Sequence, residues 1–339
     1  MQHLPREVLG HVLSLTVPER PGISYEEWLR RQEILASFAL VHSSWTRIAQ
    51  ELLFRTHYLD SCHNYRGVAE AFQTIEVGSY RLKTKYLTVE GDMDKVLAET
   101  GTELWKNVKH LVHMGEEGVM LFGIHAVRFR ELETLEVYHS TVVFTKFVPL
   151  ITLAHLRRLV LDHPTTFYGE VAACESFFSP STLPLLSHLS IGYVCNWPDA
   201  LGRILDAILP QLQTLALKNH EVYHPQPALH RSLNRLSKDA HLSINQYEDV
   251  YKGLNHLFSD AAPLRLASLH LPADTLLADP AVFEGTYDIA LGRAKTVVVS
   301  RVVLYGPKEE MVRGSNLLNL ADCEWRTGPE PPFVDFDGT

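Results

Sequence analysis

Leucines along this chain recur in a short phrase, LxxLxL, whose last two apolar positions are two residues apart. The phrase reads LETLEV (132–137), LRRLVL (156–161), LSHLSI (186–191), LQTLAL (212–217) and LASLHL (266–271), with weaker copies YLTV (86–89), VKHLVH (108–113), HLSI (241–244) and TVVV (296–299). Their central residues are Leu87, Leu111, Leu135, Leu159, Leu189, Leu215, Leu242, Leu269 and Val298, stepping by 24 to 30 residues. Two-residue spacing is the period of a strand, so both residues of a pair point to one face. In LETLEV, Leu135 and Val137 are expected to face a core, and Thr134, Glu136 and Tyr138 to face away from it. His113 interrupts the apolar pattern of its copy, and the pair His110/His113 would straddle opposite faces of a strand.

Between the phrases the spacing turns helical. Segment 197–211 places Leu201, Ile204, Leu205 and Ile208 on one stripe, with Pro198 suited to a first turn and Pro210 to a stop. Segment 224–238 does so with Leu229, Leu233 and Leu236, and segment 92–108 with Val96, Leu97 and Leu104. A strand and a helix repeated at this period predict an α/β solenoid, with a parallel sheet on its concave side and helices on its convex side. Such surfaces are used for binding. The competing reading is an ordinary α/β domain whose buried strands are rich in leucine.

The first sixty residues lack the phrase and read as three short helices. LPREVLGHVLSL (4–15) puts Val8, Leu9, Val12 and Leu13 on one face. Ser24-x-x-Glu27 is a capping box that opens a helix running to about Leu40. A third helix starts at Ser43 or Ser44, with Trp45, Ile48, Ala49, Leu52 and Leu53 on its apolar side. So small a helical layer buries little surface alone and is expected to lean on the repeats, on a partner, or on both. The predicted organisation is a helical domain at 1–61, the solenoid at 62–327, and a Pro-rich acidic tail at 328–339.

Composition narrows the function. The chain has 339 residues, 46% hydrophobic and 21% charged, with a net charge of −9. That balance predicts no pull toward nucleic acid. No apolar run is long enough to span a bilayer, so no membrane partner is expected. Four scattered cysteines, none in CxxC, suit reduced thiols in the cytoplasm or nucleus. The one alarm is His220-Glu-Val-Tyr-His224, an HExxH match of the kind that holds zinc when both histidines share a helical face. It sits two residues after LQTLAL and before Pro225 and Pro227, where a helix is not expected. No cofactor, metal or catalytic residue is assigned, and zinc hydrolysis through these histidines is kept as a remote alternative.

The phrase and its period resemble the irregular leucine-rich-repeat family. The family's buried asparagine ladder is missing, its places being taken by Ser140, Pro164, Val194 and His220. The N-terminal helices resemble an F-box. LPREVLGHVL supplies Leu4, Pro5, Glu7, Val8, Leu9, Val12 and Leu13 in the family's opening, and ALVHSSWTRIAQELLFR supplies Ala39, Leu40, Val41, Trp45, Ala49, Leu53, Phe54 and Arg55 in its closing phrase. His42 stands where the family has cysteine, and the stretch 16–33 is longer than usual, carrying Tyr25 and Trp28. The resemblance implies a substrate-receptor subunit of a Skp–cullin–F-box ubiquitin ligase. It would dock on the Skp adaptor, and through it on cullin, by Leu4, Pro5, Val8, Leu9, Leu40, Val41 and Trp45. Val12, Ile48 and Leu53 are expected to pack internally. A target protein is expected on the concave face, at Tyr138, His139, Asp162, His163, Tyr193, Lys218, His220, Asn245 and Tyr247. The alternative is a scaffold that works without ubiquitin and keeps a degenerate F-box only as a cap on the repeats.

Overall fold

The computed structural model describes residues 6–17, 24–60, 84–93, 95–96, 105–121, 129–144, 152–162, 166–192, 200–218, 232–245, 264–272, 297–306 and 323–327. The chain forms a mixed α/β fold that divides into two compact units, one holding Met1–Thr141 with Leu153–Leu156, the other Val142–Thr152 with Arg157–Thr339. The expected tail at 328–339 lies outside the described residues.

In the first unit three helices precede the strands: α1 (Arg6–Thr16), α2 (Tyr25–Val41) and α3 (Ser43–Leu53). The capping box works as read, Ser24 Oγ accepting the Glu27 N–H at 3.2 Å. Leu9 and Leu13 of α1, Leu35 of α2, and Ile48 and Leu52 of α3 form one buried cluster, with Trp45 and Leu53 packed partly buried against it. The Arg31 guanidinium is buried with them and donates to the Leu52 carbonyl at 3.1 Å, tying α2 to the end of α3. The chain then enters β1 (Thr56–Asp60), β2 (Tyr86–Glu90), β3 (His110–Leu121) and β4 (Thr134–Phe144), neighbours in that order.

The second unit carries β5 (Arg158–Asp162), a short β6 (Thr166–Gly169), β7 (His188–Ile191), β8 (Thr214–Lys218) and β9 (His241–Asn245). After them come β10 (Leu264–Leu266), β11 (Ser268–Pro272), β12 (Val297–Val299), β13 (Val302–Gly306) and β14 (Cys323–Thr327). Its sheet runs β5-β7-β8-β9-β11-β13-β14, with each of these pairings parallel, and does not close on itself. β10 and β12 make a separate two-stranded sheet.

The leucine phrase sets the register. Leu87 pairs with Leu111 in the first unit, and Leu159, Leu189, Leu215, Leu242 and Leu269 follow one another in the second, all buried. The exception is the last copy. Leu269 pairs with Val302, whereas Val298 lies in β12 opposite Arg265 and is exposed, so the expected node at TVVV moves to RVVLYG. Both phrases are Val-rich with the same alternation, and only the pairing partner distinguishes them.

Five of the phrases begin earlier than the sequence reading placed them. A tight turn three residues upstream, closed by Val108 N–H to Trp105, Leu132 to Phe129, Leu156 to Leu153, Leu186 to Leu183 and Leu212 to Leu209, buries a further apolar residue. Just after it, one carbonyl accepts two successive N–H groups of the following copy. Arg55 takes Lys85 and Tyr86, Lys85 takes Lys109 and His110, and Lys109 takes Glu133 and Thr134. In the second unit Arg157 takes Ser187 and His188, and Ser187 takes Gln213 and Thr214.

One connecting helix is shorter than expected, and most of the expected helices at 92–108 and 224–238 lie outside the described residues. Segment 197–211 yields α5 (Leu201–Asp206) and a 3-10 turn at Leu209–Gln211, though Leu201, Ile204, Leu205 and Ile208 are all buried as read. A helix not expected from the pattern, α4 (Val171–Phe177), buries Cys174 and Phe177 and packs on α5.

Candidate functional site

Two surfaces carry the residues singled out by sequence, one on the helical layer of the first unit and one on the sheets. On the helical layer the periodicity of α1 resolves into two stripes. Leu9 and Leu13 turn inward, and Val8, Val12 and Leu15 are exposed. Val12 therefore departs from the expected internal packing, and Leu9, expected at an interface, is spent on the core. Leu40 and Val41, at the end of α2, are 87% and 67% exposed. Ser43 opens α3 at once, so α2 ends without room to fold them back. Trp45 stacks on Phe38, ring centres 5.4 Å apart, which fixes the α2–α3 corner. Leu4 and Pro5 lie outside the described residues.

Tyr25 and Trp28, the additions to the F-box-like pattern, have a structural use. Both rings lie against Tyr58 of β1, at 5.4 and 6.2 Å between centres, and Trp28 Nε1 donates to the Thr56 carbonyl at 3.4 Å. Gln32 donates to the same carbonyl at 3.5 Å. Tyr58 in turn donates its hydroxyl to the Glu90 carboxylate across the strand, and burial with that carboxylate raises its pKa. On the core side His57 occupies the row of Leu87, and its burial lowers its pKa to about 4.

The sheet face opposite the leucines corrects an expectation. Thr134 and Glu136 do lie opposite Leu135 and Val137, yet both are buried, Glu136 being only 1% exposed and accepting from the Tyr138 hydroxyl at 2.9 Å. In the same central row Thr88, Val160, Ser190, Ala216, Ser243, His270 and Val303 are buried too, and Val112 is half-buried. The middle of the face is thus closed, and parallel strands buried on both faces are the rule for such sheets. Of the residues expected to bind a target, Tyr138 is half-buried and His139 is exposed, with a positive φ of 49° that breaks the strand's alternation. Lys218 and Asn245 are register partners at the ends of β8 and β9, and Asp162 ends β5. His163, Tyr193, His220 and Tyr247 lie outside the described residues, as does His224.

His113 is fully buried and satisfied on both nitrogens, Nε2 by the Gly91 carbonyl at 2.9 Å and Nδ1 by Ser140 Oγ at 3.1 Å. The same hydroxyl lies 2.9 Å from the Tyr138 carbonyl, the alternative acceptor for its single proton. At the one described place of the absent asparagine ladder, a serine thus supplies a buried backbone partner. His110 points the other way and stacks on Tyr86 at 4.6 Å.

A polar cluster that sequence reasoning missed lies on β9, β11, β13 and β14. Ser268 Oγ meets His241 Nδ1 at 2.6 Å and His270 Nε2 at 2.5 Å, and His270 Nδ1 meets the Tyr305 hydroxyl at 2.8 Å. Arg326 donates at 2.7 Å to Glu324, which also receives Arg301 at 2.8 Å. Burial lowers the His270 pKa to about 3, and burial with the Arg301 charge lowers that of His241. The signal was present as polar alternation in Ser268-Leu-His270-Leu, but Tyr305 joins it only once Val302 rather than Val298 is the node. Ser268 and His270 are buried, which disfavours a nucleophilic role. Among the described residues no group of three or more His, Cys, Asp or Glu is placed to hold a metal. No described helix is long and apolar enough to cross a membrane.

Compared with known proteins, the chain matches no family model and no curated protein.

Proposed function

We propose that the chain is a non-enzymatic substrate receptor of a Skp–cullin–F-box ubiquitin ligase, its helical layer docking on the Skp adaptor and its repeats holding a target protein. The observation that carries this reading is the exposure of Leu40 and Val41 at the α2–α3 corner, alongside Val8 and Leu15 on α1. Large aliphatic side chains grouped on one small layer mark a surface made for a partner, and these fall in the segments that resemble the F-box. The reaction would belong to the ligase's other subunits. This chain would contribute proximity, raising the effective concentration of target lysines.

The test exploits the exposure. Leu40→Asp with Val41→Asp changes surface residues only, so circular dichroism is expected to be unchanged while recovery of the Skp adaptor in a pull-down falls at least about 100-fold, the loss expected when a charge enters an apolar interface. Full recovery by the folded variant overturns the reading.

A second reading has its own support. Trp28, Gln32 and Tyr25 lean on β1, the first strand of the sheet order, as an end cap would. In a ubiquitin-independent scaffold that contact would be the reason the helices persist, and the adaptor would not be recovered with the wild-type chain.

A further inference from the structure

The face opposite the leucines is polar in the second unit, and its two halves meet that polarity differently. On β9 and β11, Ser268 joins His241 and His270 at 2.6 and 2.5 Å. On β7 and β8 the hydroxyls of Ser190 and Thr214 have no hydrogen-bond partner, although Ser190 is 0% and Thr214 5% exposed. Ser190 pairs in register with Ala216, two residues beyond Thr214, so both hydroxyls lie on one face of neighbouring strands. Burying a hydroxyl without a partner is costly, and two on adjacent strands mark a place where the acceptor comes from outside the chain.

The neighbours decide what kind of group fits. Arg158 of β5, His188 of β7 and Thr214 of β8 form one register row, and adjacent strands stand about 4.8 Å apart. A guanidinium only donates, and each unpartnered hydroxyl has a proton to give. The His188 ring is fixed by Ser187 Oγ, 2.7 Å from its Nδ1. Along this row and the central one, from β5 to β11, no position holds a carboxylate. The site is thus rich in donors, carries a fixed positive charge, and has no acid to compete for either. Carboxylate and phosphate oxygens match that set. Arg158 and His188 are half-buried, so the row reaches solvent at the strand-entry edge, with Ser190 as its floor. We propose that the β5–β7–β8 face of the second unit binds an oxyanion, whose oxygens accept from Ser190, Thr214 and Arg158. The oxyanion is a free ion or the carboxylate of a bound polypeptide, and the site does not depend on docking to the Skp adaptor.

Ser190→Ala with Thr214→Val removes both hydroxyls and keeps the shape. Without added anion the double variant is expected to melt at or above the wild-type temperature, because the lost hydroxyls had no partner to forfeit. Melting of the full chain is then followed against inorganic phosphate at constant ionic strength, and separately against a glutamate-rich peptide. In at least one arm the wild-type melting temperature is expected to rise with concentration, and the double variant to bind at least about tenfold more weakly. A rise with phosphate means that a free ion suffices, and a rise with the peptide alone means a polypeptide carboxylate. Equal rises in wild type and variant, the mark of an anion acting on the whole surface, overturn the site, as does no rise in either arm. A variant that melts below the wild type, or fails to fold, means that the hydroxyls are partnered within the chain and overturns it too.

Discussion

The helical layer and the sheets handle surface in opposite ways. The helices leave Leu40, Val41 and Leu15 in solvent, whereas the strands bury even Ser190, Glu136 and His270. Propensity does not account for this, since both regions are rich in leucine. A strand in a parallel array has neighbours on two sides that cover its residues, while a three-helix layer has too few elements to cover every aliphatic stripe. Glu136 and His270 find hydrogen-bond partners within the sheets, while the helices keep exposed aliphatic side chains.

That contrast is broken most sharply at α1. Leu9→Asp buries an unpaired charge in the cluster of Leu13, Leu35 and Ile48 and is expected to cost roughly 3–5 kcal/mol, enough to melt the helical layer. A thermal melt should show the helical signal lost well below the wild-type transition, and a stable Leu9→Asp variant would mean that α1 is not part of the core. The Leu40→Asp and Val41→Asp pair sits at the other extreme and should leave the melt within about 0.5 kcal/mol. Acid comes next in size. His57 has a folded pKa of about 4 against 6.5 unfolded, so its contribution is whole above pH 6.5 and falls away as pH drops toward 4, by roughly 3 kcal/mol in all. Urea midpoints of the wild type should fall from pH 6.5 toward 4 more steeply than those of His57→Leu, which matches its register partner Leu87, and equal slopes would mean that His57 is not the cause. The cap is smaller than the acid effect. Ser24→Ala leaves the Glu27 N–H without its acceptor and should cost about 1 kcal/mol, read as a lower urea midpoint.

How much of this was legible depends on whether a residue's role is set locally. Ser24, Glu27 and Ser43 act within one turn of helix, and α2 and α3 start as read. The core nodes from Leu87 to Leu269 were legible because apolar alternation and period agree at each copy. Val298 was misplaced because the decision between 296–299 and 301–306 is made by pairing with Leu269, which no local pattern records. Glu136 was expected in solvent because alternation gives the face of a strand but not what lies over it. Val8 and Leu9 show the same limit on a helix: the stripe was visible, and which half of it turns inward was decided by Leu35 and Ile48. The His241–Tyr305 chain depends on three strands far apart in sequence and could not be read from any one of them.

The carbonyls of Arg55, Lys85, Lys109, Arg157 and Ser187, each shared by two N–H groups of the following copy, act as fixed mounting points. Each lies two residues before its own core position, so every copy is hung at one height whatever the length of the loop leading to it. Growth or loss of residues inside a loop is absorbed there, which is how steps of 24 and 30 residues coexist in one ladder. One residue gained or lost between mounting point and core leucine would instead exchange the two faces of that strand. The copies are therefore interchangeable parts, to be inserted or removed whole at the loops, and intolerant of any cut made within the phrase.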